Sequence, residues 1–246
     1  MWRPRTLLLL GLAFLVASAA IYALHYAIFR DIHHIFIYMV GDLAFLPLEV
    51  FLVVIVLERL LSRREKQTIQ QKLNMVVGAF FSEIGSELLR TLLPCFPERE
   101  ELRRNLTVSQ DWSRDDFEAA RRYARQVPFR TDCRSINLGD LRELLLRRRP
   151  FLLRLLENPN LLEHDRFTDL LWATFHLAEE LEARASLADL PETDLDHLST
   201  DIERLYSLLV VEWIAYAEHL KESYPYLFSL MTRLHPFRES PSPVVG

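Results

Sequence analysis

Two carboxylates stand where apolar residues are expected. Asp42 and Glu49 interrupt the run 35–57, in which 19 of 23 residues are apolar. Their spacing of seven puts them on one face of a helix, with Tyr38 one turn before Asp42. An ionised acid near mid-bilayer costs about 2.5–3.5 kcal/mol on insertion scales, so such residues point to an ion or proton pathway or to a contact between helices. A second polar line, Ser18, Tyr22 and His25, runs through the stretch 7–29, where 20 of 23 residues are apolar. If the two stretches pair as antiparallel helices, His25 and Asp42 fall at similar depth, with Asp31, His33 and His34 at the interface just above. Imidazole with carboxylate suits a divalent transition metal, and histidine, titrating near neutrality, suits a proton relay. No spacing in this stretch matches a metal signature such as HExxH, so a metal stays unassigned and no cofactor is implied. Plainer readings stay open. The tyrosines serve equally as a belt at the headgroups, His33 and His34 as solvated loop residues, and Asp42 as a partner of His25 that orients the hairpin.

Other chemistry-bearing residues say less. His176 and Glu180 (i, i+4), and Glu218 beside His219, read as solvated helix neighbours before they read as ligands. Glu212 is an acid inside the most apolar helical stretch. Cys95 and Cys133 are far apart and supply neither a CxxC pair nor a disulfide framework. The chain carries no phosphate-binding glycine loop, kinase signature or nucleophile elbow. These residues favour a non-enzymatic role and leave an enzyme in the helical domain as a lesser alternative.

The elements that must position these residues follow from the apolar pattern. A spanning helix needs about 20 apolar residues, and 7–29 and 35–57 both suffice. Five residues, Arg30 to His34, connect them, with Asp31 as N-cap of the second helix. The expectation is a transmembrane hairpin over 1–60. Arg3 and Arg5 before the first span, and Arg59, Arg63, Arg64 and Lys66 after the second, outweigh the one Arg of the connection. The positive-inside rule then places a multi-pass protein in the cell membrane with both termini cytoplasmic. A rival reading is a cleavable signal peptide with its site at Ala17-Ser18-Ala19, which would leave one span. The apolar run continues to Phe29, longer than a usual signal core. Ala13, Ala17, Ala20, Ala23 and Ala27 form a small-residue face suited to close helix packing.

Beyond the second span the helical pattern does not stop. Leu57, Leu61, Ile69, Leu73, Val76, Phe80, Ile84 and Leu88 recur with a period near 3.6, predicting a stalk helix over 61–93 that ends at Pro94. On it Asn74, Gly78, Ser82 and Gly85 recur at 4, 4 and 3. Glycine costs a helix about 1 kcal/mol against alanine, so this face predicts close packing on another helix, with the same helix of a second subunit as one candidate. An all-helical cytoplasmic domain is expected over 94–235. Ser113 opens a helix that ends before Pro128. Asn137 opens another that reaches Arg149 before Pro150, with a short helix over 150–157 closed by Asn158-Pro159-Asn160. Longer helices cover 161–184 and the stretch from Pro191 to Leu220. In the last, 205–217 is apolar nearly all round, as suits a buried central helix. A flexible tail is expected over 236–246. The fold class is all-α.

The total charge of −5 hides a division. Residues 58–154 carry 20 basic and 14 acidic side chains, and 155–246 carry 6 and 17. Arg142, Arg147, Arg148 and Arg149 form the densest basic cluster and are expected to face anionic lipid headgroups. The acidic half is left to meet a protein partner, unless the halves pair within the fold. Nucleic acid is not expected of an acidic chain without interleaved basic and aromatic residues.

The runs YALHYAIFRDIHHIFIYMVGDLAFLPLEV (22–50) and EKQTIQQKLNMVVGAFFSEIG (65–85) resemble an uncharacterised family of prokaryotic two-span integral membrane proteins. The resemblance covers the first third of the chain. It implies a membrane protein and no activity, and it carries over no catalytic residue. The sequence therefore reads as a membrane-anchored helical signalling adaptor or scaffold, in contact with the bilayer and open to homo-oligomerisation. The alternative is an oligomeric ion or proton pathway lined by Asp42, Glu49 and His25.

Overall fold

A computed structural model describes residues 4–158, 161 and 165–244; the side chains of 4–7 and 60–71 lie outside that description. Arg3, the side chains of Arg5, Arg63, Arg64 and Lys66, and the expected break at Pro159-Asn160 fall outside it too. The regular elements are all helical, without a strand among the described residues. Two compact units divide the chain, 1–66 and 67–246.

In the first unit, α1 (Pro4–Phe29) and the opening part of α2 (Ile32–Phe80) carry the two apolar runs. α2 starts at Ile32, not Ile35, so the connection shrinks to Arg30-Asp31. Arg30 closes α1 in the left-handed region at φ 50, its amide donating to the Tyr26 carbonyl at 2.8 Å. Asp31 accepts from the amide of His34 at 3.2 Å and so caps α2. His33 and His34 consequently sit in the first turn of a helix. α2 continues through Pro47.

The helical path continues past Phe80 into a π-helical turn (Phe81–Gly85), α3 (Ser86–Leu92) and a short 3-10 turn (Leu93–Cys95). The Ser86 amide and its Oγ both bond the Phe81 carbonyl, the latter at 2.9 Å. Gly85 explains the bulge. A Cβ there would stand 2.5 Å from Phe81 Cδ1 and 2.7 Å from Phe80 Cε1, and both rings are fully buried. This glycine makes room for two aromatic rings of its own helix.

The rest of the second unit folds around one helix. α4 (Arg99–Leu106), α5 (Arg114–Gln126), α6 (Leu138–Leu156) and α7 (Asp165–Ala183) precede α8 (Glu192–Ser223), and α9 (Pro225–Arg233) follows it. α8 packs against α3, α5, α7 and α9. Its middle buries a broad face (Leu205, Tyr206, Leu209, Val210, Trp213, Ile214), and the apolar residues opposite, Leu208 and Val211, are half-buried, as suits a central core helix. Local chemistry sets the starts. Ser113 and Asp116 form a reciprocal capping box on α5, and Asn137 Oδ1 accepts from Gly139 and Asp140 on α6.

Three expectations need correction. α6 does not stop at Pro150 but runs through it to Leu156. Leu141, Leu145, Leu152 and Leu155 make one buried face across the proline, and that burial outweighs the about 3 kcal/mol a mid-helix proline costs. α9 is an additional helix: Pro225 cannot continue α8 and instead opens a new first turn. The segment after it is not a free tail from Pro236, because His235 and Phe237 are buried to 0% and 1% exposure.

Candidate functional site

The connected end of α1 and α2 gathers part of the expected polar set. Tyr22, His25, His34, Ile35, Tyr38 and Asp42 line a cavity of about 370 Å³. The His25 and His34 rings stack with centroids 6.1 Å apart, and the Tyr38 ring meets His34 edge-on at 4.7 Å. His25 Nε2 is buried without a hydrogen-bond partner among the described residues. Asp31 is occupied in capping, and His33 and Glu49 do not line the cavity. Glu49 lies on the same helix two turns further along, about 10 Å away.

In the second unit the small-residue face meets α8 of the same chain. Asn74 Nδ2 lies 3.1 Å from His219 Nδ1. A Cβ on Gly78 would touch the Tyr216 ring at 3.4 Å. Ser82 hydrogen-bonds the Tyr216 hydroxyl, whose pKa burial pushes up. Gly85 is used internally, as above. A groove of about 410 Å³ opens beside this seam, bordered by Asn74, Met75, Gly78, Tyr216, His219 and Tyr224. Desolvation holds the His219 imidazole below its usual pKa. The face offered to a second subunit is therefore already taken by a helix of this chain.

The arginine cluster is engaged within the fold. Arg148 Nη1 donates to Glu83 at 2.8 Å and its other nitrogen lies 3.8 Å from Glu87. Arg147 lies 3.9 Å from Glu87. Arg149 pairs with Glu182, and with Glu179 at 3.8 Å. Arg142 donates to the Arg184 carbonyl at 3.4 Å.

Cys95 and Cys133 are both buried free thiols. Burial, with smaller help from Cys133, pushes the Cys95 pKa up to about 12. Glu212 is buried at 4% exposure. Sequence reasoning missed Asp201 (3% exposed) and His235, and it set aside His176 and Glu180. The available signal was a second i, i+4 pair, His197 and Asp201, on α8. It becomes legible only when α8 lies beside the His176–Glu180 pair of α7.

Two family models match the chain: "MJ1433, N-terminal helical domain" over residues 3–61, and "Uncharacterized protein MJ1433, C-terminal helical domain" over 69–233. The uncharacterized protein MJ1433 of Methanocaldococcus jannaschii is 43% identical over 233 residues, covering 95% of this chain and 94% of its own length. No solved structure matches the chain.

Proposed function

The chain belongs to the uncharacterised MJ1433 family, and from that premise we propose that it is a two-span integral membrane protein whose helical domain acts as a cytoplasmic adaptor or scaffold. One observation carries the membrane reading. Leu8–Phe29 and Ile32–Arg59 have mean hydropathies of 2.1 and 2.4, and none of the best apolar window of either is buried. Two apolar helices of this length, with nearly all of their side chains exposed, present a large apolar surface suited to lipid. Arg59 and the basic residues around it in the sequence support a cytoplasmic side for the domain. The scaffold reading is supported by the groove beside α2 and α8, whose rim continues into Leu227 and Leu230 of α9 and Leu234 just after it, each exposed by over a third.

Membranes containing the full chain should retain it through alkaline carbonate extraction; release into the wash refutes the span. A cysteine in place of His33 should react with a membrane-impermeant maleimide from outside the cell, against the background of two buried native thiols. Labelling only after lysis refutes the orientation. For the scaffold, crosslinked membranes that yield no protein partner, or one equally recovered with Leu227 and Leu230 changed to Glu, refute it.

The cavity that brings His25, His34, Tyr38 and Asp42 together favours a second reading, a proton or ion pathway assembled from several hairpins. Reconstituted protein should then lose proton flux in Asp42→Asn. Flux indifferent to that change removes this reading.

A further inference from the structure

The facing sides of α7 and α8 carry a donor set that neither the hairpin nor the groove uses. His176 and Glu180 are one turn apart on α7, and His197 and Asp201 one turn apart on α8. They meet crosswise, as on antiparallel helices. Asp201 Oδ2 lies 3.3 Å from His176 Nε2 and 3.4 Å from His197 Nε2. Glu180 Oε2 lies 3.5 Å from His197 Nε2, and Glu180 Oε1 lies 4.0 Å from His176 Nε2. The donor atoms of His176, Glu180 and His197 are all within 4.8 Å of one another.

Three of these separations have a specific meaning. Zinc binds imidazole nitrogen and carboxylate oxygen at roughly 2.0–2.2 Å, so ligand atoms at the corners of a tetrahedron stand about 3.3–3.5 Å apart. The two that reach Asp201 Oδ2 are not hydrogen bonds. Asp201 is 3% exposed, yet its Oδ2 has no hydrogen-bond partner among the described residues, although two imidazole nitrogens are in reach. Its other oxygen is held by Arg204 Nη1 at 3.1 Å. A buried carboxylate oxygen left without a donor, with two imidazole nitrogens converging beside it, is an orphaned acceptor that a bound cation would satisfy.

We propose that His176, His197, Asp201 and Glu180 form a binding site for one divalent transition-metal ion of the zinc class. The two imidazoles select against magnesium and calcium, which take oxygen ligands. Arg204 fixes Asp201, and Arg184 fixes Glu180 through a 2.8 Å bond while also gripping Asp194 at 2.6 and 2.8 Å. These outer contacts orient the carboxylates as second partners do in known metal sites. The Arg184 guanidinium holds the Glu180 carboxyl below its usual range, keeping it anionic for a cation. His176 and His197 have side chains 44% and 50% exposed, which gives the ion an entry path.

The test uses the full chain in detergent, stripped with a chelator and titrated with zinc against a chromophoric competitor, with cobalt(II) absorption reporting geometry. One equivalent should bind. The double change His176→Gln, His197→Gln should weaken it by about 100-fold or more, and Asp201→Asn by about 10-fold. Zinc should raise the thermal midpoint of the wild type and not of the double variant, a readout that the exposed histidines permit because their loss leaves the core intact. Binding of less than one equivalent at millimolar zinc overturns the proposal. So does binding untouched by the double change, or binding abolished instead by His25→Gln, His33→Gln and His34→Gln. Equal affinity for magnesium overturns the assignment to a transition metal.

Discussion

His235 should make the protein's stability depend on pH between neutrality and pH 4. The ring is fully buried in the segment after α9. The amide of Val108 donates to its Nε2 at 3.1 Å, with Trp213 Nε1 at 3.3 Å, and the Phe237 amide faces Nδ1 at 3.1 Å. It thus ties the α4–α5 connection to α8 and to the closing segment. Burial, with a smaller contribution from Arg238, pushes its pKa down to about 3. Unfolded, it returns to about 6.5. Between those values the unfolded chain binds a proton that the folded chain refuses, so stability rises with pH across the interval and falls on acidification. At about 1.36 kcal/mol per unit, the penalty relative to pH 7 is about 2 kcal/mol at pH 5 and about 3 kcal/mol at pH 4.

Urea unfolding of the full chain in detergent, at pH 7 and pH 5, measures this for the wild type and for His235→Gln. The glutamine keeps an acceptor for Val108 and does not titrate. Comparing each protein with itself removes the fixed cost of the substitution, and the carboxylates contribute alike to both. The wild type should lose about 2 kcal/mol more than the variant. Amide exchange at Val108 in the wild type gives a second readout, with the opening free energy falling over the same interval. Equal acid losses in the two proteins refute the buried neutral imidazole.

Three further outcomes follow from particular contacts. Gly85→Ala should destabilise the domain by about 1–3 kcal/mol in urea unfolding, because two buried rings occupy the space of the new methyl; Gly78→Ala, meeting only ordinary contact with Tyr216, should lose much less, and the reverse order would refute the packing account. Cys95 and Cys133 should resist an aromatic disulfide reagent at pH 8 until denaturant is added, since both are buried and the Cys95 thiol is pushed up to about 12; rapid native labelling refutes it. Ser113→Ala should cost about 1 kcal/mol through loss of the capping box, and it should return the Asp116 carboxyl, held low by Ser113, towards its ordinary pKa in a proton titration.

The parts of the fold legible in the sequence are those set by neighbours along the chain. Ser113 and Asn137 announce their helices because a cap acts within three residues. The 3–4 spacing from Leu198 to Leu220 identifies the buried face of α8 because a helix turned to the core repeats its apolar residues at that interval. What was illegible depends on partners remote in sequence. The Asn74–Gly78–Ser82 face said that something packs closely, and only the fold says that it is Tyr216 and His219. Pro150 looked like a stop because its local cost is plain, while the compensating burial of Leu152 and Leu155 requires knowing what they meet. His176–Glu180 and His197–Asp201 each resemble a solvated pair, and their convergence exists only once two helices are in register.

The same dependence changes what the divided charge means. Arg121 pairs with Glu218, Arg134 with Glu192 at 3.3 Å, Arg103 with Glu239 at 3.2 Å, and Arg149 with Glu179 and Glu182. Each joins the basic half to the acidic half, so part of the separation in sequence is spent inside the fold. An anionic lipid surface would have to take Arg147, Arg148 and Arg149 away from Glu83, Glu87, Glu179 and Glu182. A half-exposed ion pair contributes about 0–1 kcal/mol, and a basic side chain near anionic headgroups gains about 1 kcal/mol. The exchange is close to neutral for each arginine. Attraction to a membrane would then come from the excess of 20 basic over 14 acidic side chains across 58–154, spread over the surface, rather than from the four clustered arginines.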